Sequence, residues 1–130
     1  KRLSAGLVII DKRRPRPNEA SVYNLIGEVE GKTAVILDDM VDTGGTLTKV
    51  ATKLKDRGAE RVIAACVHGV LSGNAMELMA QSEIEELIIT DSIPNRPPEG
   101  SRITVLSIAP LLGEAIRRNH VGESISELFV

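Results

Sequence analysis

The pattern that most restricts the fold lies between residues 33 and 57, where an aliphatic run, two glycines and a helical repeat follow one another. Residues 33–39 form a continuous apolar run that ends in two carboxylates, as expected of a buried strand. The apolar positions after the glycines recur at the spacing of one helix face: Leu47, Val50, Ala51 and Leu54. A strand, a glycine turn and a helix begin a βαβ unit, so the segment predicts an α/β fold.

The same alternation continues through the rest of the chain. Further strands are predicted at residues 7–11, 21–26, 61–67, 87–90 and 103–106. Helices are predicted at residues 46–57 and 75–81 and from Pro110 onwards, with an apolar face made by Leu111, Leu112, Ala115 and Ile116. We therefore expect one domain over residues 1–130, built as a mainly parallel sheet flanked by helices.

Three polar segments follow predicted strands, at residues 12–16, 38–46 and 68–73. Ligands of open α/β sheets bind beyond the carboxyl ends of the strands. The three segments are therefore expected to meet at one edge of the sheet and to form a ligand site there.

The segment at residues 38–46 has the chemistry of a sugar-phosphate site. Its two glycines let the backbone turn with exposed N–H groups at the start of a helix, which suits a phosphate, and two threonines add hydroxyl donors. The adjacent carboxylates accept hydrogen bonds only, which suits a vicinal diol or a hydrated Mg²⁺. The predicted ribose-phosphate site consists of Asp38, Asp39, Asp42, Thr43, Gly44, Gly45 and Thr46.

These segments also have other interpretations. A glycine turn before a helix is common without any ligand, and a charged run such as residues 12–16 is usually a solvated loop. Residues 31–33 resemble the end of a P-loop, but they precede a strand and lack the required first glycine. A receiver domain also collects carboxylates at strand ends and stays as a minor alternative, although it does not explain the threonines and glycines.

Composition excludes several functional classes. The net charge is −2 and aromatic residues make up 2% of the chain, which argues against a general nucleic-acid binder. No apolar run approaches the roughly 20 residues of a membrane span. Cys66 is the single cysteine and is expected to be a buried small hydrophobe. Without a second cysteine for a disulfide, a cytoplasmic location is the default.

Four segments together resemble the ribose-phosphate diphosphokinase family, whose domains have the type I phosphoribosyltransferase fold. Residues 35–46, with D-D-M-V-D-T-G-G-T, resemble its phosphoribosyl-diphosphate motif. The D-K-R-R-P-R-P run resembles its mobile catalytic loop, here residues 11–20, and residues 68–73 resemble its T-H-x-x-[LF]-S-G segment. Residues 124–129 resemble its C-terminal signature. The resemblance implies the C-terminal domain of a two-domain enzyme whose N-terminal half is absent from these 130 residues.

The resemblance also implies an activity. Members transfer the diphosphoryl group of MgATP to the 1-hydroxyl of ribose 5-phosphate, giving 5-phosphoribosyl 1-diphosphate and AMP. Lys12 and Arg14 match the loop residues that stabilise the transferring phosphoryl groups. Mg²⁺ is the implied cofactor, with Asp38 and Asp39 meeting it through water or substrate. The isolated 130 residues are expected to bind the sugar phosphate without turnover, because half of the nucleotide site lies outside them.

Regulation and assembly follow from the resemblance alone. Ser124 and Ser126 are candidates for an allosteric anion site, with capping of a terminal turn as the alternative. Family members assemble as dimers grouped into a hexamer, so Leu111 and Leu112 are candidate interface residues. Two alternatives to the enzyme stay open: a non-catalytic regulatory homologue, and a phosphoribosyltransferase that uses a nucleobase. Arg13, Arg16 and His68 receive no assigned role.

Overall fold

The computed structural model describes residues 5–13 and 22–129, and for residues 12, 13, 22 and 23 it describes the backbone only. Within these residues the strands are β1 (Ile9–Arg13), β2 (Val22–Ile26), β3 (Thr33–Val41), β4 (Arg61–Gly69), β5 (Glu86–Thr90) and β6 (Ile103–Leu106). The helices are α1 (Gly45–Asp56), α2 (Ala75–Gln81) and α3 (Ala109–Val121), followed by a 3₁₀ turn at Ser126–Phe129. Every strand and helix predicted from the sequence is present, with end points that differ by a few residues.

The central sheet has the order β3-β4-β5-β6, and all three strand pairs are parallel. The strands are added to the sheet in sequence order from one edge to the other. When such strands are joined by right-handed crossovers, their connecting helices lie on the same face of the sheet. α1 and α2 accordingly contact each other, and α1 packs against β3 and β4. The predicted parallel α/β architecture is confirmed.

The core lies between this face of the sheet and the helices α1 and α2. The buried strand residues include Val62, Ala64, Cys66, Leu87 and Ile89. The predicted apolar face of α1 is fully buried, at Leu47, Val50, Ala51 and Leu54. Since alternate residues of a strand point to opposite faces, this core accounts for one side of each strand.

The opposite face of β3 is exposed in the described part of the chain, although its aliphatic run predicts a buried strand. Val35 is 48% exposed and Leu37 is 69% exposed on β3. The apolar face predicted for the last helix is also exposed, at Leu111, Leu112 and Ile116. The apolar spacing is real in both elements, but none of the described residues covers these positions.

The first two strands form a separate antiparallel pair. β1 pairs with β2 from Ile9↔Ile26 to Arg13↔Val22, and neither strand joins the four-stranded sheet. Leu25 of β2 is buried in the core, and Val8 and Ile10 pack against that core. The expectation that residues 12–16 follow a strand of the parallel sheet is therefore wrong, because pairing with β2 takes the first strand out of it.

None of the helices in residues 5–13 and 22–129 is long and apolar enough to cross a membrane.

Candidate functional site

The connection between β3 and α1 is a short glycine turn at the carboxyl edge of the sheet. β3 ends at Val41 and α1 begins at Gly45. Gly44 has φ 78° and ψ −10°, the left-handed conformation that glycine adopts without a side-chain penalty. A Cβ atom at Gly44 would lie 2.7 Å from Cε of Met79, so α2 packs closely behind the turn.

The start of α1 has the properties of an anion site. The N–H of Thr48 donates to the carbonyl oxygen of Gly44 at 3.0 Å and opens the helix. The N-cap residue, Gly44, makes no side-chain hydrogen bond to the helix, and the first turn of α1 holds no acidic residue. The N–H groups of a first helical turn carry the positive end of the helix dipole. A phosphate at this position would interact favourably with the positive end of the dipole.

A cavity of about 250 Å³ brings the predicted residues together. It is lined by Asp38, Asp39, Met40, Val41, Asp42, Thr43, Gly44, Thr46 and Leu47. Gly45, the remaining predicted residue, begins α1 between two of these lining residues. A smaller cavity of about 160 Å³ lies between α2 and residues 100–103, at the amino end of β6. The larger cavity is therefore the one at the edge where ligands of parallel sheets bind.

The carboxylates of Asp38, Asp39 and Asp42 are all exposed to solvent. The backbone N–H of Asp39 donates to Oδ1 of Asp38 at 2.9 Å, which fixes one carboxylate and leaves its other oxygen available as an acceptor. Asp38 lies opposite Cys66 in the register of β3 and β4. Burial, together with the nearby charges of Asp38 and Asp39, raises the pKa of the Cys66 thiol to about 11. The expectation that Cys66 is buried is confirmed.

The segment after β4 is hydrogen-bonded to the glycine turn. The carbonyl oxygen of Val41 accepts the N–H groups of Val70 at 2.9 Å and Leu71 at 3.1 Å. The N–H of Ser72 donates to the carbonyl oxygen of Asp42 at 3.1 Å, and the Ser72 hydroxyl donates to Oδ1 of Asp42. Two of the three predicted polar segments thus meet at this edge. Ser72 was not singled out from the sequence, although it lies within the motif at residues 68–73.

His68 lies at the same end of the sheet and forms a hydrogen bond with Ser92. Its Nδ1 atom is 2.9 Å from Oγ of Ser92, which also donates to the carbonyl oxygen of Val67 at 3.1 Å. These contacts join the ends of β4 and β5.

The predicted catalytic pair is not placed by this structure. Lys12 lies in β1 opposite Tyr23, and its side chain is outside the described part of the chain. Arg14 lies wholly outside the described residues, as does most of the predicted catalytic loop at residues 11–20. The roles of Lys12 and Arg14 stay predictions.

Ser124 and Ser126 belong to an ion-paired C-terminal segment. Oγ of Ser124 accepts the N–H of Ser126 at 3.2 Å, which is the turn-capping contact considered as the alternative. Arg118 donates to the carbonyl oxygen of Ser124 at 2.9 Å and to the carboxylates of Glu114 and Glu127. Hydrogen bonds from Arg117 and Arg118 lower the pKa of Glu114 to about 2. The allosteric role of the two serines stays a prediction.

The described residues contain no group of three or more His, Cys, Asp or Glu side chains that could hold a metal ion. Asp38 and Asp39 offer two exposed carboxylates. Mg²⁺ keeps several waters and is commonly held by one or two carboxylates together with substrate phosphates. The chemistry of these two carboxylates fits a Mg²⁺ ion that is held mainly by substrate and water, and Mg²⁺ stays a prediction.

Comparison with known proteins gives consistent matches. The phosphoribosyl synthetase-associated domain family matches residues 9–130. A ribose-phosphate pyrophosphokinase from Oceanobacillus iheyensis is 55% identical over 130 residues, covering 98% of this chain and 41% of the relative. The enzyme of that name from Aquifex aeolicus is 47% identical over 128 residues, covering 98% of this chain and 41% of its own length. The crystal structure of phosphoribosylpyrophosphate synthetase from Mycobacterium smegmatis matches with a TM-score of 0.73 and 40% identity, over 78% of this chain and 34% of that one.

The chain spans about two fifths of the length of these curated relatives. Coverage of this size agrees with a part of a longer enzyme, but it does not support the C-terminal placement expected from the sequence.

Proposed function

Because this chain belongs to the phosphoribosyl synthetase-associated domain family, we propose that it carries the ribose 5-phosphate site of a ribose-phosphate pyrophosphokinase. The whole enzyme transfers the diphosphoryl group of ATP to the 1-hydroxyl of ribose 5-phosphate. The products are 5-phosphoribosyl 1-diphosphate and AMP.

The observation that carries this proposal is the cavity at the end of β3. The turn at residues 43–46, where α1 begins, lines this cavity together with Asp38 and Asp39. A sugar phosphate has the matching arrangement, with an anion at C5 and a diol at C2 and C3. We place the 5-phosphate on the turn and the two hydroxyls on the carboxylates.

Binding in this orientation would leave the 1-hydroxyl free for in-line attack. Its oxygen bonds to the β-phosphorus of ATP, the bond from that phosphorus to the α,β-bridging oxygen breaks, and the hydroxyl proton leaves to solvent. Holding the sugar in one pose supplies the positional part of catalysis. Lys12 and Arg14 would stabilise the charge on the transferring and leaving oxygens. Mg²⁺ carried by ATP would neutralise part of the same charge and would contact Asp38 and Asp39 only through water or substrate.

The proposal is tested by following AMP formation by the full-length protein that contains this chain. We expect AMP to form from ATP in the presence of ribose 5-phosphate and not with ribose, which lacks the phosphate. No AMP under any condition would favour the regulatory homologue. Turnover of 5-phosphoribosyl 1-diphosphate with a nucleobase and without ATP would favour the base-using phosphoribosyltransferase. Either result would overturn the proposed activity.

A further inference from the structure

Asp42 presents an electrostatic conflict within the proposed phosphate site. Its carboxylate belongs to the turn that would hold the 5-phosphate, and like charges a few ångströms apart repel each other. An ionised carboxylate accepts hydrogen bonds and donates none, so it cannot bind a phosphate directly. A donor from the protein is therefore needed to hold this carboxylate in one orientation.

Ser72 supplies that donor. Its hydroxyl donates to Oδ1 of Asp42, and its backbone N–H donates to the carbonyl oxygen of the same residue at 3.1 Å. The side chain and the main chain of Asp42 are thus both held by one residue that lies 30 positions further along the sequence. A hydrogen bond to a charged acceptor is stronger than one between neutral groups.

The segment that carries Ser72 is itself held in place. Val70 and Leu71 both donate their N–H groups to the carbonyl oxygen of Val41. Leu71 has a φ of 50°, an uncommon value for a residue other than glycine, and its side chain packs against the core. Such a conformation persists only where the surrounding structure determines it. The backbone that carries the Ser72 hydroxyl is therefore held in one position.

We propose that Ser72 is a positioning residue for sugar-phosphate binding, because it holds the carboxylate of Asp42 and so keeps the turn at residues 43–46 shaped for the 5-phosphate. This inference rests on the proposed function of the site. Ser72 itself does not contact the substrate or the reacting atoms.

The first test compares Ser72→Ala with Ser72→Thr, which keeps a hydroxyl, in the full-length protein. Loss of a hydrogen bond to a charged group should raise the KM for ribose 5-phosphate about tenfold. The kcat and the KM for ATP should stay within about twofold, because the lost interaction is the same in the ground state and the transition state. Ser72→Thr should restore the KM. Ser92→Ala is the matched control, since this serine bonds His68 and Val67 at the same sheet edge.

The second test asks whether Ser72 acts through Asp42. In an Asp42→Ala background, Ser72→Ala should change the KM for ribose 5-phosphate by less than about twofold, because coupled residues are not additive. Additive effects of the two substitutions on this KM would overturn the proposal. An unchanged KM in Ser72→Ala would also overturn it, and so would a loss of kcat that Ser72→Thr does not restore. A wild-type protein that fails to bind ribose 5-phosphate in calorimetry would overturn the proposed function and this inference together. If the wild type binds ribose 5-phosphate and Ser72→Ala leaves the KM for it unchanged, this inference alone would be overturned.

Discussion

Asp38 lies directly opposite Cys66 in the parallel pairing of β3 and β4, so the candidate diol site and the buried thiol share one position of the sheet. Burial and, to a smaller extent, the charges of Asp38 and Asp39 together raise the pKa of Cys66 from 9.0 to about 11. The thiol therefore reports on the charge at the proposed ribose site without touching a ligand.

The first prediction concerns stability at high pH. Between pH 9 and pH 11 the folded chain keeps the Cys66 proton that the unfolded chain releases, so the stability contributed by the neutral thiol falls as the pH rises through this window. A two-unit difference corresponds to at most about 3 kcal/mol. In urea unfolding, the free energy of unfolding of the wild type relative to Cys66→Ala should fall by up to this amount between pH 8 and pH 11. A difference that stays constant across this range would contradict the assigned pKa.

The second prediction concerns the paired carboxylates. The double substitution Asp38→Asn/Asp39→Asn should weaken ribose 5-phosphate binding by about tenfold or more in calorimetry, because hydrogen bonds to charged acceptors are lost. It should also lower the pKa of Cys66 while leaving it above its ordinary value, because burial is the larger cause. The midpoint of thiol alkylation against pH measures this second effect.

Asp56→Asn is the matched control for that variant, since this exposed carboxylate lies at the other end of α1 and pairs with Lys53. It should change neither the affinity nor the alkylation midpoint. Equal affinity of the double variant and wild type would exclude Asp38 and Asp39 as the diol acceptors.

Local sequence patterns were sufficient to predict the elements around the site. The helical spacing of Leu47 and Leu54 identified the face of α1 that is buried, and the glycines located the turn. These features depend on neighbours along the chain, where backbone geometry fixes which side chains share a face.

Contacts between distant segments were not predictable in the same way. The hydrogen bonds from Ser72 to Asp42 join residues 30 positions apart, and no periodicity in the sequence encodes them. The pairing of β1 with β2 and the exposure of Leu37 likewise depend on which strands and helices pack together. An aliphatic run shows that a strand is apolar, but it does not show what covers each face.

The third prediction separates chemistry from binding. Lys12→Ala or Arg14→Ala should lower kcat in the full-length protein by about a hundredfold or more, while the affinity for ribose 5-phosphate changes little. The physical reason is that these cations would stabilise charge that develops only in the transition state. Steady-state kinetics with calorimetry of the sugar phosphate makes the comparison. Near-normal turnover in both variants would remove the two residues from the catalytic assignment.

Arg96→Ala provides a control for the loss of a positive charge, because Arg96 lies in the connection between β5 and β6 and outside the residues that line the cavity. It should leave kcat within about twofold of wild type. A large loss of kcat in this variant would show that net charge, and not the position of Lys12 and Arg14, governs the rate.

The central claim is that the edge of the sheet from Asp38 to Thr46 binds ribose 5-phosphate in one orientation. A crystal structure of the full-length protein with ribose 5-phosphate tests it most directly. The account predicts the 5-phosphate on the backbone N–H groups at residues 43–46 and the 2- and 3-hydroxyls on the carboxylates of Asp38 and Asp39. A sugar phosphate bound in the reverse orientation, or only in the cavity between α2 and residues 100–103, would contradict the claim.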